Sequence, residues 1–270
     1  MRGQRYGIIC LTAATLSLVA HNATARSDPA VEADAAWEAD DYATARPLYA
    51  ALAADPGNHQ AQYRYSVILE SGFGEPPDPA TAMRYRVQAA QGGNADAQTN
   101  LGYMLVWGEG APKDVPAGIA WLEKAAIGGD PSTLYTLGVA RRVFLHDPVG
   151  AFPLILRAAE AGNDDAISDI AMLYRDGVGT AKDPAAYVQW LKRGAVKDNS
   201  GRRALIAQAY ANGTGVPRDM MKSLAWVLMA GDRVSPEGRN IVTTGTTANE
   251  KMAARALADR CMASNYTDCD

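Results

Sequence analysis

Two hundred and seventy residues, 48% of them hydrophobic and 21% charged, suffice for one or two domains with a sizeable core and exclude a mini-protein. About one residue in five is Ala while Phe numbers 3, so the apolar content is mostly methyl groups; short, closely stacked helices are expected and a large sheet is not. The formal net charge of −4, with no basic stripe along the chain, excludes a nucleic-acid binder.

At the N-terminus, Arg2 and Arg5 precede an uncharged stretch from Tyr6 to Ala20, followed by Ala23-Thr24-Ala25. The stretch is short for a membrane span and an A-x-A site follows it, which predicts a secretory signal over residues 1–25 and a periplasmic or secreted protein with no stable membrane span after cleavage. Cleavage removes two arginines and no acid, leaving a net charge of −6. Residues 26–58 then read as one helix pair: Val31 to Ala39, and a second helix opened by Asp41-Tyr42-Ala43-Thr44-Ala45 and closed by Asp55-Pro56-Gly57-Asn58.

From residue 59 the chain repeats itself. Gly-x-Gly doublets stand at Gly72/Gly74, Gly108/Gly110, Gly177/Gly179 and Gly213/Gly215, in steps of 36, 69 and 36 residues. The copy missing from the long step is recovered by the aspartates that start each second helix, Asp78, Asp114, Asp147, Asp183 and Asp219, in steps of 36, 33, 36 and 36. A large residue keeps the same phase as Tyr85, Trp121, Leu154, Trp190 and Trp226, expected to be buried by each second helix. The glycines supply the positive φ of a sharp turn, each Asp is an N-cap, and Pro79, Pro148 and Pro184 take the first helical position, where a missing amide costs nothing. Five units follow: 59–93, 94–129, 130–162, 163–198 and 199–231.

Runs such as Tyr174-Arg175-Asp176-Gly177-Val178-Gly179 through Trp190, and Tyr210-Ala211-Asn212-Gly213-Thr214-Gly215-Val216 through Trp226, resemble the Sel1-like repeat family of the tetratricopeptide superfamily. The resemblance covers residues 59–231, and residues 26–58 look like a tetratricopeptide helix pair. It implies an all-α, right-handed α-solenoid with a C-terminal helical cap. It also implies a scaffold for protein–protein contact, an adaptor or regulator of an envelope protein, in some bacterial relatives the outer domain of a membrane sensor kinase. A second reading is an assembly factor for an envelope or polysaccharide-export complex. The 130–162 copy departs from the family, since Arg141-Arg142-Val143-Phe144-Leu145-His146 replaces the Gly-x-Gly turn.

Chemistry finds little support. No doublet continues into a phosphate loop, no Ser-x-x-Lys or Gly-x-Ser-x-Gly occurs, and beyond residue 25 the only histidines are His59 and His146. The expectation is no enzyme, no cofactor and no metal. Some cysteine-rich Sel1-like proteins are described as β-lactamases and carry a cysteine pair in each repeat; none of these repeats holds a cysteine, so a β-lactamase-type hydrolase is the least favoured reading.

A protein or peptide partner would lie along the concave face, lined by the first helices. Residues expected to point away from the packing stripe include Tyr63, Glu70, Tyr103, Val106, Trp107, Tyr135, Arg142, Arg175, Gln208 and Asn212. Tyr, Trp and Arg are the types enriched at binding hot spots, which selects Tyr63, Tyr103, Trp107, Tyr135, Arg142 and Arg175 as the groove. The alternative, packing between repeats, stays open for the aromatics, most of all for Tyr135 and Trp107.

Residues 232–270 are expected to cap the array. Ser235-Pro236-Glu237 and Thr247-Ala248-Asn249-Glu250 are helix starts, with a loop over Thr243 to Thr246 between them, and Met252, Ala256 and Leu257 are expected to cover the last repeat. In an oxidising compartment Cys261 and Cys269 should form a disulfide; a redox or metal pair would lack both C-x-x-C spacing and a nearby histidine.

Overall fold

The computed structural model describes residues 28–73, 75–196 and 200–269, so the signal expected at residues 1–25 lies outside the described residues. Among these residues there are fourteen α-helices and no strand. Helices α1 (Pro29–Glu38) and α2 (Tyr42–Leu52) form the expected N-terminal pair, turned at Asp40, whose φ is +55°. The five repeats follow as α3 (His59–Ser71) with α4 (Pro79–Gln91), α5 (Ala95–Trp107) with α6 (Val115–Ala125), α7 (Pro131–Phe144) with α8 (Pro148–Glu160), α9 (Asp164–Asp176) with α10 (Pro184–Gly194), and α11 (Ser200–Asn212) with α12 (Met220–Ala230). Each helix packs on its partner and on the next pair, giving a solenoid-like stack with a continuous core.

The expected caps are in place. Asp78, Asp114, Asp147, Asp183 and Asp219 each accept a hydrogen bond from the amide three residues on. Hydrogen bonding to the Thr81 amide and hydroxyl holds the Asp78 carboxyl below its ordinary range. A second set of caps, Asn58, Asn94, Asp130 and Asn163, starts the first helices. Its spacing of 36, 36 and 33 residues was available in the sequence and adds four anchors to the same period.

One backbone bond closes the full-length turns: the amides of Asp78, Asp114, Asp183 and Asp219 donate to the carbonyls of Leu69, Leu105, Tyr174 and Tyr210, nine residues earlier, at 2.8–2.9 Å. In the short repeat Asp147 donates to Arg141, only six residues earlier, at 3.1 Å. Three residues are therefore excised from inside the loop, and the left-handed position passes from glycine to His146, whose φ is +52°. The second glycine of a full doublet answers a further demand: at Gly215 the Pro184 carbonyl of the preceding repeat occupies the space a Cβ would need.

The large residues of the second helices correct one expectation. Tyr85, Trp121, Leu154 and Trp190 are half-buried at the edges between repeats, with Lys124 4.3 Å over Trp121 and Arg193 4.9 Å over Trp190. Only Trp226 among them is fully buried. The next position is the deep slot, filled by Leu122, Ile155 and Leu191 and, in the first repeat, by Arg86, whose guanidinium is neutralised by both Glu70 oxygens at 3.2 and 2.6 Å.

Beyond the repeats lie α13 (Pro236–Thr244) and α14 (Ala248–Ala263). α13 extends through Thr244, so the expected loop shrinks to Gly245-Thr246, and Thr247 with Glu250 makes the full capping box. α14 packs on α12 through Ala254, Leu257, Ala258 and Cys261; Met252 and Ala256, expected in the contact, face solvent. The Cys261–Cys269 disulfide is formed. It ties down a tail whose Tyr266 ring lies 6.5 Å from Trp226 and 4.4 Å from the Arg203 guanidinium.

Candidate functional site

The first helices α3, α5, α7, α9 and α11 leave one stripe of side chains open, and most of its polar members serve a neighbour. Asn94 donates to Gln60 at 2.7 Å, the Thr99 and Thr133 hydroxyls share a 2.8 Å bond, Tyr135 donates to Asp169 at 3.3 Å, and Arg202 donates to the Ser168 hydroxyl. Every link spans 34 residues. In three of the links the partner therefore stands two places before the equivalent residue of the next repeat. Across the 33-residue step it stands one place after, a shift of three residues along the same helix face.

The six residues expected in the groove fall into four places. Tyr103 and Trp107 come together: their rings stack with centroids 4.6 Å apart and 18° between planes. Trp107 is half-buried and sets its ring edge-on to Phe144 at 5.5 Å, with Lys113 4.4 Å from the Phe144 ring. Tyr103 is the open member, 37% exposed, and its hydroxyl donates to Glu109 at 3.1 Å, which together with slight burial holds its pKa above the usual tyrosine value.

Tyr135 and Arg142 are brought together by Asp169 of α9, which accepts from both, at 3.3 and 2.8 Å. Burial first, then the charges of Asp169 and Asp165, push the Tyr135 hydroxyl up to about 12. Tyr63 stands apart, half-buried against Ala89, Ala97 and Leu101, and burial raises its pKa too. Arg175 is exposed and chelates its neighbour Asp176 through two bonds of 2.8 and 2.9 Å. It lines a cavity of about 250 Å³ with Tyr187, Leu205, Gln208 and Asn212.

Two residues expected on this face are placed elsewhere. Val106 is fully buried in the core, and Glu70 turns to pair with Arg86. Other residues were not foreseen: Phe144, which seats the Trp107 ring, Asp169, which was signalled by its 34-residue spacing from Tyr135, and a cavity of about 520 Å³ between α11 and α13. Among the described residues no group of three or more His, Cys, Asp or Glu side chains could hold a metal ion. None of their helices is long and apolar enough to cross a membrane.

The Sel1 repeat family matches at residues 59–94, 95–130, 164–197 and 204–233, half of the chain. The chain belongs to the Sel1 repeat family. The gap in the match falls on the shortened Sel1 repeat, α7–α8, where the Gly-x-Gly turn is replaced. A search of curated proteins returned no significant match. Among solved structures, the chain is similar to c5321, described as a protective antigen of uropathogenic Escherichia coli with the Sel1-like repeat fold: 26% identity, TM-score 0.69, 87% of this chain and 53% of c5321. It thus spans about half the length of c5321. It is also similar to a Sel1 repeat protein from Oxalobacter formigenes, with 26% identity, TM-score 0.65, 80% of this chain and 85% of that one.

Proposed function

We propose that this Sel1 repeat scaffold is an exported adaptor that performs no chemistry and holds an extended segment of an envelope protein along the concave face of its first helices. The stacked pair Tyr103–Trp107 carries the reading. Trp107 is fixed from below by Phe144, so Tyr103 offers a large ring that loses little conformational freedom when a partner covers it. The Cys261–Cys269 bridge, together with the Arg2/Arg5, apolar and Ala-Thr-Ala sequence of residues 1–25, supports an oxidising, extracytoplasmic setting.

Crosslinked capture from the native envelope, read by mass spectrometry, tests the proposal. The double variant Tyr63→Ala, Tyr103→Ala should lose its partner, and Tyr103→Ala alone should weaken capture with only a small shift of the helical melting curve, since Tyr63 also packs against Ala89, Ala97 and Leu101. Full retention of the partner would remove the groove, and a collapse of the melt would assign these rings to the core.

A further inference from the structure

The larger cavity lies at the C-terminal end of the first-helix stripe. Leu205, Gln208 and Asn212 of α11 face Ile241 and Val242 of α13 across it, with Val227 of α12 between them. Its volume of about 520 Å³ falls in the range that buries a small ligand or the end of a chain. The same Leu205, Gln208 and Asn212 line the smaller cavity beside Arg175, so the two spaces adjoin over the two carboxamides.

The linings carry two arginines, of which Arg175 is already chelated by Asp176. In a chain with net charge −4, neither lining contains an acidic residue among the described residues. Among the described residues the one charged side chain lining the larger cavity is Arg233, which is exposed and makes no ion pair or hydrogen bond with a described residue. Gln208 and Asn212 are likewise uncommitted, whereas Ser223 already donates to the Ala207 carbonyl and Ser235 already caps α13. Ile241 is 63% exposed, an apolar side chain left open at the cavity.

We propose that this end of the groove receives the free carboxyl terminus of a partner chain whose last residue is apolar. The carboxylate pairs with Arg233, the last side chain lies among Leu205, Val227 and Ile241, and the preceding main chain runs over Gln208 and Asn212 toward Arg175. Each carboxamide offers one donor group and one acceptor, which matches a peptide unit; a fatty acid has no amide to engage them. The assignment rests on the concave face being a protein-binding surface and adds which part of the partner enters it.

The test is an array of peptides tethered by their N-termini, with the last two residues varied, each presented as the free acid and as the amide, and probed with the purified chain. Retention should concentrate on acids ending in Val, Leu, Ile, Met or Phe, and amidation should weaken the best peptide about tenfold or more, the scale of a lost charge-assisted bond. Arg233→Ala should weaken the acid by the same factor and leave the amide unchanged. Because Arg233 is exposed, the melt of this variant should match the parent. Equal binding of acid and amide, or an acid indifferent to Arg233→Ala, would overturn the assignment, as would saturable binding of dodecanoate with no peptide retained. Peptides that bind whatever their terminus but are lost with Tyr103→Ala would leave the groove reading standing and remove only this one. A native partner that ignores the Tyr63→Ala, Tyr103→Ala pair would remove the groove reading.

Discussion

Two stretches of the first-helix stripe use related side chains to opposite ends. Around α5, Tyr103 lies open on a Trp107 ring that is itself seated on Phe144. Around α7, Tyr135 and Arg142 reach instead for Asp169 of the following repeat and become part of the joint between repeats. Each stretch puts a tyrosine on the open stripe, Tyr135 standing one helical turn before the equivalent of Tyr103, which is Val139. What differs is whether the next repeat presents an acceptor within reach, so one tyrosine of the stripe stays open while another is held by a neighbour.

Substitutions can break this contrast. Trp107→Ala has the largest expected effect, because it empties the half-buried seat beneath Tyr103: about 3 kcal/mol of lost stability by denaturant unfolding. A much smaller loss would mean that Tyr103 has no fixed support. Asp169→Ala leaves Arg142 and Tyr135 without their shared acceptor; these groups are about a quarter to a third exposed, so about 1–2 kcal/mol is expected, and the joint between the third and fourth repeats should gain amide exchange first. Exchange spread evenly over the molecule would argue against a local joint.

Tyr103→Ala should cost about 1 kcal/mol or less by the same unfolding assay, since its partly open ring gives up only the stack on Trp107 and the hydroxyl bond to Glu109. The smallest effect is one of pH. Tyr135 has its folded pKa raised to about 12 from a reference of 10.0, so its contribution is whole below pH 10 and is lost as pH rises toward 12. Other buried tyrosines add to the alkaline transition, so the measurement is a difference: Tyr135→Phe should lose less stability than the parent between pH 10 and 12. Parallel curves would mean that burial and the neighbouring Asp169 and Asp165 charges do not hold the phenol neutral.

Much of the architecture was legible because it is local. Doublet glycines that need a positive φ, aspartates that cap, and prolines in the first helical turn each act within a few residues, and their recurrence gave the period and the missing three residues before any contact was known. The loop path of the short repeat was not legible. A left-handed histidine carries no signature, and only the Asp147–Arg141 bond reveals how the turn closes.

The candidate site was legible in composition and not in grouping. Phase put Tyr103 and Trp107 on one face, where their rings stack, yet it also offered Val106, which is buried completely, and Glu70, which the buried Arg86 claims. The cap shows the same limit: Ala254 and Leu257 face the repeat while Met252 and Ala256 face water, because the packing angle of α14 on α12 sets the phase of contact and the helix pattern alone does not.

By itself, then, the sequence determined the repeat, the caps, the family and the cysteine bridge, consequences of short-range chemistry, most of it repeated in register. The tertiary structure alone decided which side chains of the open stripe remain available. Availability depends on what the neighbouring helix offers at a distance of some 34 residues, and on α13, whose position against α11 creates the cavity at the end of the array.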